Sequence, residues 1–370
     1  MSTWTALPAF IGKYNFGQTI GKGSFSLVKM AMNTDTHEKL AIKIIPKSMI
    51  STPEEKLRFE REVNVIIKMN HPGIIKIHDF IIDANYFYLV MDYCSGGNLL
   101  SQVGINRLTE DAAKPLFKQI LETVHYIHSQ GIAHRDLKLE NIMLDEFGHI
   151  KIIDFGFSRF VEKGELFMTP CGSPAYAPPE VIDGEKYDGK LADLWSLGVI
   201  LFALVTGELP WKGTNQIQIY NQIRNAQFDI PPEVSKFAQD LINHLLRIDP
   251  TTRLTTSEIL THPWLDGIIV SWNGSNGPIG PNLSFNTFRK ILGSGDIRQV
   301  QSPRSQLAAL SKHHNTVINR NTGSLSFGCP KPSPILTHIG RNSTIVPGIG
   351  AASRLKTVKI LPTSPLSDEF

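Results

Sequence analysis

The 370-residue sequence is 41% hydrophobic and 19% charged, too long for one small domain and too apolar to be disordered throughout. Its net charge of +3 hides an asymmetry: residues 1–266 carry 26 Lys and Arg against 31 Asp and Glu, whereas the last 104 residues carry 11 against 3. The longest apolar run, Leu197 to Val205, is far below the ~18 residues of a membrane span, and three scattered cysteines without a CxxC pair argue against a disulfide framework or a cysteine-built zinc site.

The opening Met1-Ser2-Thr3-Trp4 offers neither a basic, apolar signal segment nor a glycine at position 2 for myristoylation. An intracellular protein of the cytoplasm and/or nucleus is expected. Residues 1–13 read as an extension. Short β-prone runs follow at Tyr14–Ile20, Leu27–Asn33, Lys39–Ile45, Ile74–Ile82 and Tyr86–Asp92, set apart by Gly, Asn, Asp or Pro. Between the third and fourth, Thr52-Pro53-Glu54-Glu55 places a capping hydroxyl, a first-position proline and a glutamate three residues on, which predicts a helix start. Leu57, Val63, Ile66 and Ile67 supply its apolar face, and His71-Pro72-Gly73 ends it. Past Leu99 the period turns helical, with Phe117, Ile120, Leu121, Val124 and Ile127 at three- and four-residue spacing. Pro115 lacks an N–H, which is tolerable only within about the first turn, so this helix is expected to start late or to kink. Further helices are expected around Leu191–Thr206, Ile217–Asn225 and Ser235–Leu246. The implied architecture is α+β, a small β-rich lobe joined to a larger helical one. After 266, Ser, Thr, Gly, Pro and Asn make up 49 of 104 residues. Residues 266–370 are therefore expected to form a low-complexity basic tail, largely disordered, either solvated or meeting a tail-binding partner.

Gly21-Lys22-Gly23-Ser24-Phe25-Ser26-Leu27-Val28 lies between two strand runs, where glycines let backbone N–H groups approach an anion; alone it reads equally well as a hairpin turn. Ala41-Ile42-Lys43 falls on the third strand and Glu62 in mid-helix, suited to hold a lysine ammonium against a phosphate. A single Lys–Glu pair is more often a surface ion pair. His134-Arg135-Asp136-Leu137-Lys138-Leu139-Glu140-Asn141 is then followed by Asp154-Phe155-Gly156. Phosphoryl transfer needs hard oxygen ligands for a metal, cations for the phosphates and a carboxylate to aim the incoming hydroxyl, and these segments supply each.

In this order the motifs resemble the protein kinase superfamily over about Tyr14 to Leu265, with an APE-like Pro178-Pro179-Glu180, the segment Asp193-Leu194-Trp195-Ser196-Leu197-Gly198 and Arg253 in support. The resemblance implies a bilobal kinase fold: N-lobe at about 14–92, hinge at 92–94, C-lobe at 95–265. It implies ATP and Mg2+ as cofactors. Under it, the loop from Gly21 to Leu27 would cover the nucleotide, Ile20, Val28, Ala41 and Met143 would sandwich the adenine, and Asp92 to Cys94 would bond its edge beside the gatekeeper Met91. Lys43, oriented by Glu62, would bind the α- and β-phosphates. Asp154 and Asn141 would hold magnesium, Lys138 would neutralise the γ-phosphate, and Asp136 would accept the proton of the substrate hydroxyl. Ile66, Ile77, His134 and Phe155 resemble the hydrophobic spine between the lobes, and Glu180 with Arg253 the buried ion pair behind the substrate loop.

Lys138, and Ser173 in Cys171-Gly172-Ser173-Pro174, resemble the serine/threonine type. Thr169-Pro170-Cys171-Gly172-Ser173-Pro174-Ala175-Tyr176 is similar to the activation loop of the calcium/calmodulin-dependent kinase group, in its AMP-activated and SNF1-related branch. Thr169 falls where an upstream activating kinase phosphorylates that branch, and Arg135 is placed to pair with the phosphate. Three residues depart from the pattern. Ser26 replaces the third glycine of the loop at little cost. Pro178 replaces the alanine of APE and is expected to alter the substrate loop locally. Asn98 stands where many arginine-directed kinases carry glutamate, so with Glu140 retained a moderate preference for arginine is expected. The activity implied is ATP-dependent phosphorylation of serine and threonine in protein substrates. The alternative is a pseudokinase or scaffold; a nucleic-acid partner is not expected, since the basic tail lacks interleaved aromatics. The tail is expected to regulate or localise, and a chain ending near Gly267 to fold and phosphorylate by itself.

Overall fold

A computed structural model of the chain describes residues 7–23, 26–105, 108–155, 158–160, 166–167, 173–272 and 288. The N-terminal part is an antiparallel six-stranded sheet of β1 (Phe10–Ile11), β2 (Tyr14–Lys22), β3 (Leu27–Asn33), β4 (Lys39–Pro46), β5 (Ile77–Ile82) and β6 (Tyr86–Asp92), in the order β1-β2-β3-β4-β6-β5. One sheet face packs Tyr14, Ala31, Leu40, Ile42, Ile44 and Tyr88 into a small core. The other, through Ile45, Phe80 and Leu89, joins the larger core beneath α1 (Pro53–Lys68). The expected strand from Ile74 begins three residues later. Ile74 instead bridges Ile152 in parallel, while the Ile75 N–H donates to Ile152 O (3.0 Å) and the Ile152 N–H to Gly73 O (2.7 Å), so these residues tie the two lobes together. Gly73 is obligatory in that crossing, because a Cβ there would collide with Thr123 Oγ1.

The expected capping box opens α1: Thr52 Oγ1 accepts from the Glu55 N–H (3.2 Å) and Glu55 Oε2 accepts from the Thr52 N–H (2.9 Å). Its buried stripe is Phe59, Val63, Val65 and Ile66. Leu57 does not belong to it and is 46% exposed, since two residues on a helix are about 200° apart and Phe59 occupies the inward side.

The helical lobe comprises α2 (Leu99–Ile105), α3 (Glu110–Ser129), α4 (Pro179–Ile182), α5 (Gly189–Thr206), α6 (Gln216–Arg224), α7 (Lys236–Leu245) and α8 (Thr256–Leu260), with the short strands β7 (Ile132–Ala133), β8 (Ile142–Leu144), β9 (Ile150–Ile152) and β10 (Arg159–Phe160). Helix α3 does not start late. Thr109 caps it, and Pro115 lies inside, where the carbonyl it leaves unpaired belongs to Asp111 on the exposed first turn and is open to water. Helix α5 is long and apolar enough to cross a membrane by length and composition, with a mean hydropathy of 1.5, but its residues are 83% buried within the protein as the central core helix. Gly207, at φ +81°, ends it in the left-handed conformation and donates its N–H to Ala203 O (2.9 Å).

The packed core does not stop at the expected boundary of 265. Lys118 Nζ donates to Ile268 O, Trp272 sits edge-on to His71 (5.5 Å between centroids), and Phe288 is fully buried in the main cluster. Isolated aromatics in a Ser-, Asn- and Gly-rich stretch carry no periodic signal, which is why composition placed them in a tail. The rest of the expected tail, 273–287 and 289–370, lies outside the described residues.

Two imidazoles make this fold sensitive to acid. Burial, with help from Lys151, pushes His71 down to about 4, and burial also lowers His134. In the unfolded chain both titrate near ~6.5, so the unfolded state binds more protons below that pH. Their stabilisation is therefore complete above about pH 6.5 and is lost as the pH falls towards the folded value. Urea unfolding should show higher stability at pH 7.5 than at pH 5, with a His71 share that solvent screening of this half-buried ring keeps below about 2 kcal/mol, and His71→Asn should flatten that dependence.

Candidate active site

The β2–β3 turn is closed by the Gly23 N–H donating to Ser26 O (2.8 Å), with Gly21 opposite Val28 and Lys22 opposite Leu27. Ser24 and Phe25 lie outside the described residues. Behind the turn, Ala41 is buried and Val28 and Met143 are half-buried, while Ile20 at the rim is 40% exposed. The Asp92 side chain turns away from this face into a buried cluster. It accepts from His78 Nε2 (2.7 Å) and the Lys76 N–H (3.1 Å), with Lys151 Nζ at 3.6 Å. Burial alone would raise this carboxyl; the His78 hydrogen bond and Lys151 outweigh it and hold the pKa below the usual range. Only the backbone of Asp92 is thus left for a ligand edge. The Cys94 thiol, a free cysteine, is pushed up to about 12 by burial and by Asp92, which makes it a poor nucleophile.

Lys43 sits on β4 between Val28 and Leu89, and its Nζ lies 3.3 Å from Glu62 Oε1 on α1. The Glu62 carboxylate raises the lysine pKa against the effect of burial, and Asp154 adds to the rise. Two carboxylates from different lobes therefore keep this ammonium charged.

The loop between β7 and β8 is held from beneath by Asp193 on α5. Its fully buried carboxylate accepts from the backbone N–H groups of His134 (2.8 Å) and Arg135 (2.8 Å) and from His128 Nε2 (2.8 Å). Those bonds fix Arg135 in the left-handed region, φ +69°, a conformation worth roughly 1–3 kcal/mol of strain in a non-glycine residue. The His134 ring accepts the Asp136 N–H on Nδ1 (3.3 Å), which directs its Nε2 proton to Ile153 O (3.2 Å), and it meets Phe155 edge-on at 4.9 Å. Burial accordingly keeps it neutral. Ile66, Ile77 and Phe155 are buried in the main core cluster.

Asp136 is the convergence point. Its Oδ2 accepts from Lys138 Nζ (2.8 Å) and Asn141 Nδ2 (3.0 Å), and its Oδ1 from the Ser173 N–H (3.0 Å) and Oγ (3.2 Å). Lys138 Nζ also donates to Ser173 Oγ (2.7 Å). Because the Asn141 amide nitrogen is committed to Asp136, its carbonyl oxygen faces the opposite way. That oxygen and the exposed Asp154 carboxylate, itself at φ +60°, form a hard-oxygen donor set that fits a magnesium ion rather than zinc. Among the described residues no group of three or more His, Cys, Asp or Glu could hold a metal.

On the substrate side, Arg253 and Glu180 form a buried bidentate pair (2.7 and 2.8 Å), and the guanidinium also donates to the carbonyls of Leu191, Arg247 and Ile248. Pro178 does not disturb this region. It caps α4, where no N–H is needed, and its carbonyl accepts from Val181 and Ile182. Arg135 donates through Nε (3.0 Å) and Nη2 (2.8 Å) to the Tyr187 hydroxyl, and its plane lies 4.0 Å from the centre of the Phe167 ring. Thr169, the expected regulatory residue, lies outside the described residues. Asn98 is a cap: its Oδ1 accepts from the N–H (2.9 Å) and Oγ (2.8 Å) of Ser101 at the start of α2. Glu140 Oε2 is buried without a hydrogen-bond partner, and the carboxylate lies against the Tyr176 side chain, whose pKa it helps burial to raise.

The sequence assigns no role to Asp193 or Tyr187, and it marks Ser173 as a feature of the serine/threonine type, not as the partner of Asp136 that the structure shows. An aspartate in an otherwise apolar helix start was the available signal for Asp193, since a buried charge there demands donors.

Comparison with known proteins gives one family: the protein kinase domain matches residues 14–265. The chain is 40% identical over 268 residues to CBL-interacting protein kinase 33 of Oryza sativa subsp. japonica, covering 71% of this chain and 59% of that protein. It is 41% identical over 265 residues to SNF1-related protein kinase catalytic subunit alpha KIN12 of Arabidopsis thaliana, covering 71% and 53%. With CBL-interacting serine/threonine-protein kinase 24 of Arabidopsis thaliana it shares 40% over 349 residues, 89% of this chain and 78% of the relative. The chain thus spans between half and three-fifths of the length of the first two.

The Glu180–Arg253 pair sets a stability prediction. Arg253→Met strands a buried carboxylate and should lower the unfolding free energy by about 3–5 kcal/mol, whereas adding Glu180→Leu should recover part of that loss. Urea titrations of the two variants measure the difference.

Proposed function

The chain belongs to the protein kinase family, and on that premise we propose that it is an active serine/threonine kinase using ATP and Mg2+, rather than a pseudokinase or scaffold. One observation carries this reading: Lys138, Asn141 and Ser173 converge on Asp136 while Lys43 and Glu62 stay paired, an assembly a scaffold has no use for. Bound magnesium would supply charge neutralisation at the phosphates, held by Asn141 and Asp154. The residues of the chain then divide the work. Lys43 holds the non-transferred phosphates at a distance set by Glu62. Asp136, oriented on both oxygens, aims the substrate hydroxyl and takes up its proton. Lys138, 2.8 Å from that carboxylate, lies where the transferred group gains charge. The backbone of the hinge from Asp92 to Cys94 would take the adenine edge.

For substrate choice, the negative charge of Glu140, on the turn that also carries Asn141, supports a preference for a basic residue before the phosphorylated one. The preference is moderate because Asn98, committed to capping α2, adds no charge. Phosphorylation of Thr169 by an upstream kinase is proposed as the activating event; the phosphate would compete with Tyr187 for Arg135 and so reorganise the substrate loop. The names of two relatives, which describe those proteins as CBL-interacting, support a regulatory protein partner for this chain, and the site of action proposed is inside the cell.

The decisive measurement uses the full chain, shown by mass spectrometry to carry phosphate on Thr169. It should phosphorylate serine and threonine peptides in a magnesium-dependent way. Asp136→Asn should lower turnover by at least about a hundredfold with nucleotide affinity retained; absence of transfer to any peptide of a broad library would make the pseudokinase reading correct. Glu140→Gln should reduce the discrimination between arginine and alanine peptides by less than about tenfold.

A further inference from the structure

We propose that Phe288, far beyond the kinase-domain match, is a positioning residue that holds α1 in place so that Glu62 reaches Lys43; the catalytic half of this inference rests on the kinase reading above. Residues 51–58 are exposed without exception, so Phe59 is the first point at which α1 is anchored to the sheet. One turn further on stands Glu62. Phe59 packs on Phe87 of β6 (5.4 Å between centroids) and on Phe80 of β5 (6.0 Å), and those two rings stack at 5.9 Å. The fourth ring is Phe288, 4.8 Å from Phe80 and 6.1 Å edge-on to Phe59, with 0% exposure. Without it, the outer side of three phenylalanines would face water, and the anchor of α1 would lose one wall.

A second, independent contact brings the same part of the chain to the other end of α1. Trp272 lies against His71, which directly follows the helix, and against His149 in the helical lobe. Ring stacking of His71 on Tyr126 (5.0 Å) completes that end. The helix is thus gripped at Phe59 by Phe288 and behind its C-terminus by Trp272. The pair it must deliver is delicate: at 3.3 Å the Lys43–Glu62 contact is already near the long end of the hydrogen-bond range, so a small rotation of α1 breaks it. Residues outside the catalytic domain therefore act on the phosphate-binding lysine through one aromatic ring.

The test compares full-length wild type, Phe288→Ala and Phe288→Leu at matched Thr169 phosphorylation. Phe288→Ala should lower kcat by roughly tenfold or more with the KM for peptide unchanged, and Phe288→Leu should restore most of the loss. Hydrogen exchange should speed up in α1 by a comparable factor while α7 stays protected. A synthetic peptide of residues 280–294 should rescue the alanine variant, and the same peptide with alanine at 288 should not. Wild-type kcat together with unchanged α1 exchange in Phe288→Ala overturns the proposal. So does faster exchange in both α1 and α7 without peptide rescue, which would make Phe288 a general core residue. If the wild type transfers no phosphate, the kinase reading fails, and the exchange and peptide arms still decide whether Phe288 holds α1.

Discussion

A single buried carboxylate, Asp193, carries the geometry of the site. The three hydrogen bonds it accepts come from outside its own helix, two from the backbone of the catalytic loop and one from His128 of α3. The exchange works in both directions. Asp193 escapes the penalty of an unpaired buried charge, and the loop is held in a backbone conformation that Arg135 would not adopt unaided. Once Arg135 is fixed, Asp136 follows it into the cleft and Arg135 itself faces Tyr187, so base and loop contact are two results of one constraint.

The second coupling crosses between the lobes. Gly73 passes so close to Thr123 that the backbone hydrogen bonds to Ile152 become available, and these bonds set where the sheet sits on the helical lobe. β9, which contains Ile152, leads within two residues to Asp154. The same backbone contact that joins the lobes therefore sets the distance between Asp154 and Lys43, whose ammonium feels that carboxylate. Glu62 approaches the same ammonium from α1. Three separate elements, a strand, a helix and a loop, must be in register for one lysine to be placed.

Much of this was legible in the residues. The strand runs, the Thr52–Glu55 capping box and the ordered motifs from Gly21 to Asp154 reported local physics: alternation, cap chemistry and the donor types that phosphates require. What sequence could not resolve was direction and destination. Leu57 and Phe59 are both apolar, and only the sheet beneath decides which one points inward. Pro115 reads as a helix breaker until the exposure of the first turn shows that water can serve the carbonyl it leaves free. Asn98 reads as a missing acid, whereas its local bonds to Ser101 make it a cap.

Domain boundaries read from composition have a specific blind spot that Phe288 exposes. Averaged over a window, the stretch from Asn273 onward is polar and lacks periodicity, and such a segment cannot form a core of its own. That argument says nothing about a core supplied by another part of the chain. A side chain that enters an existing core needs no amphipathic pattern around it, because among the described residues the rings it meets, Phe59 and Phe80, lie on α1 and β5. Burying a phenyl ring in this way removes on the order of 150–250 Å² from water, which works against the chain entropy lost on docking. Isolated aromatics in basic, Ser-rich sequence are thus the residues through which such a tail can act on a folded lobe, and the lobe shows where: at Phe59 of α1, one turn from Glu62.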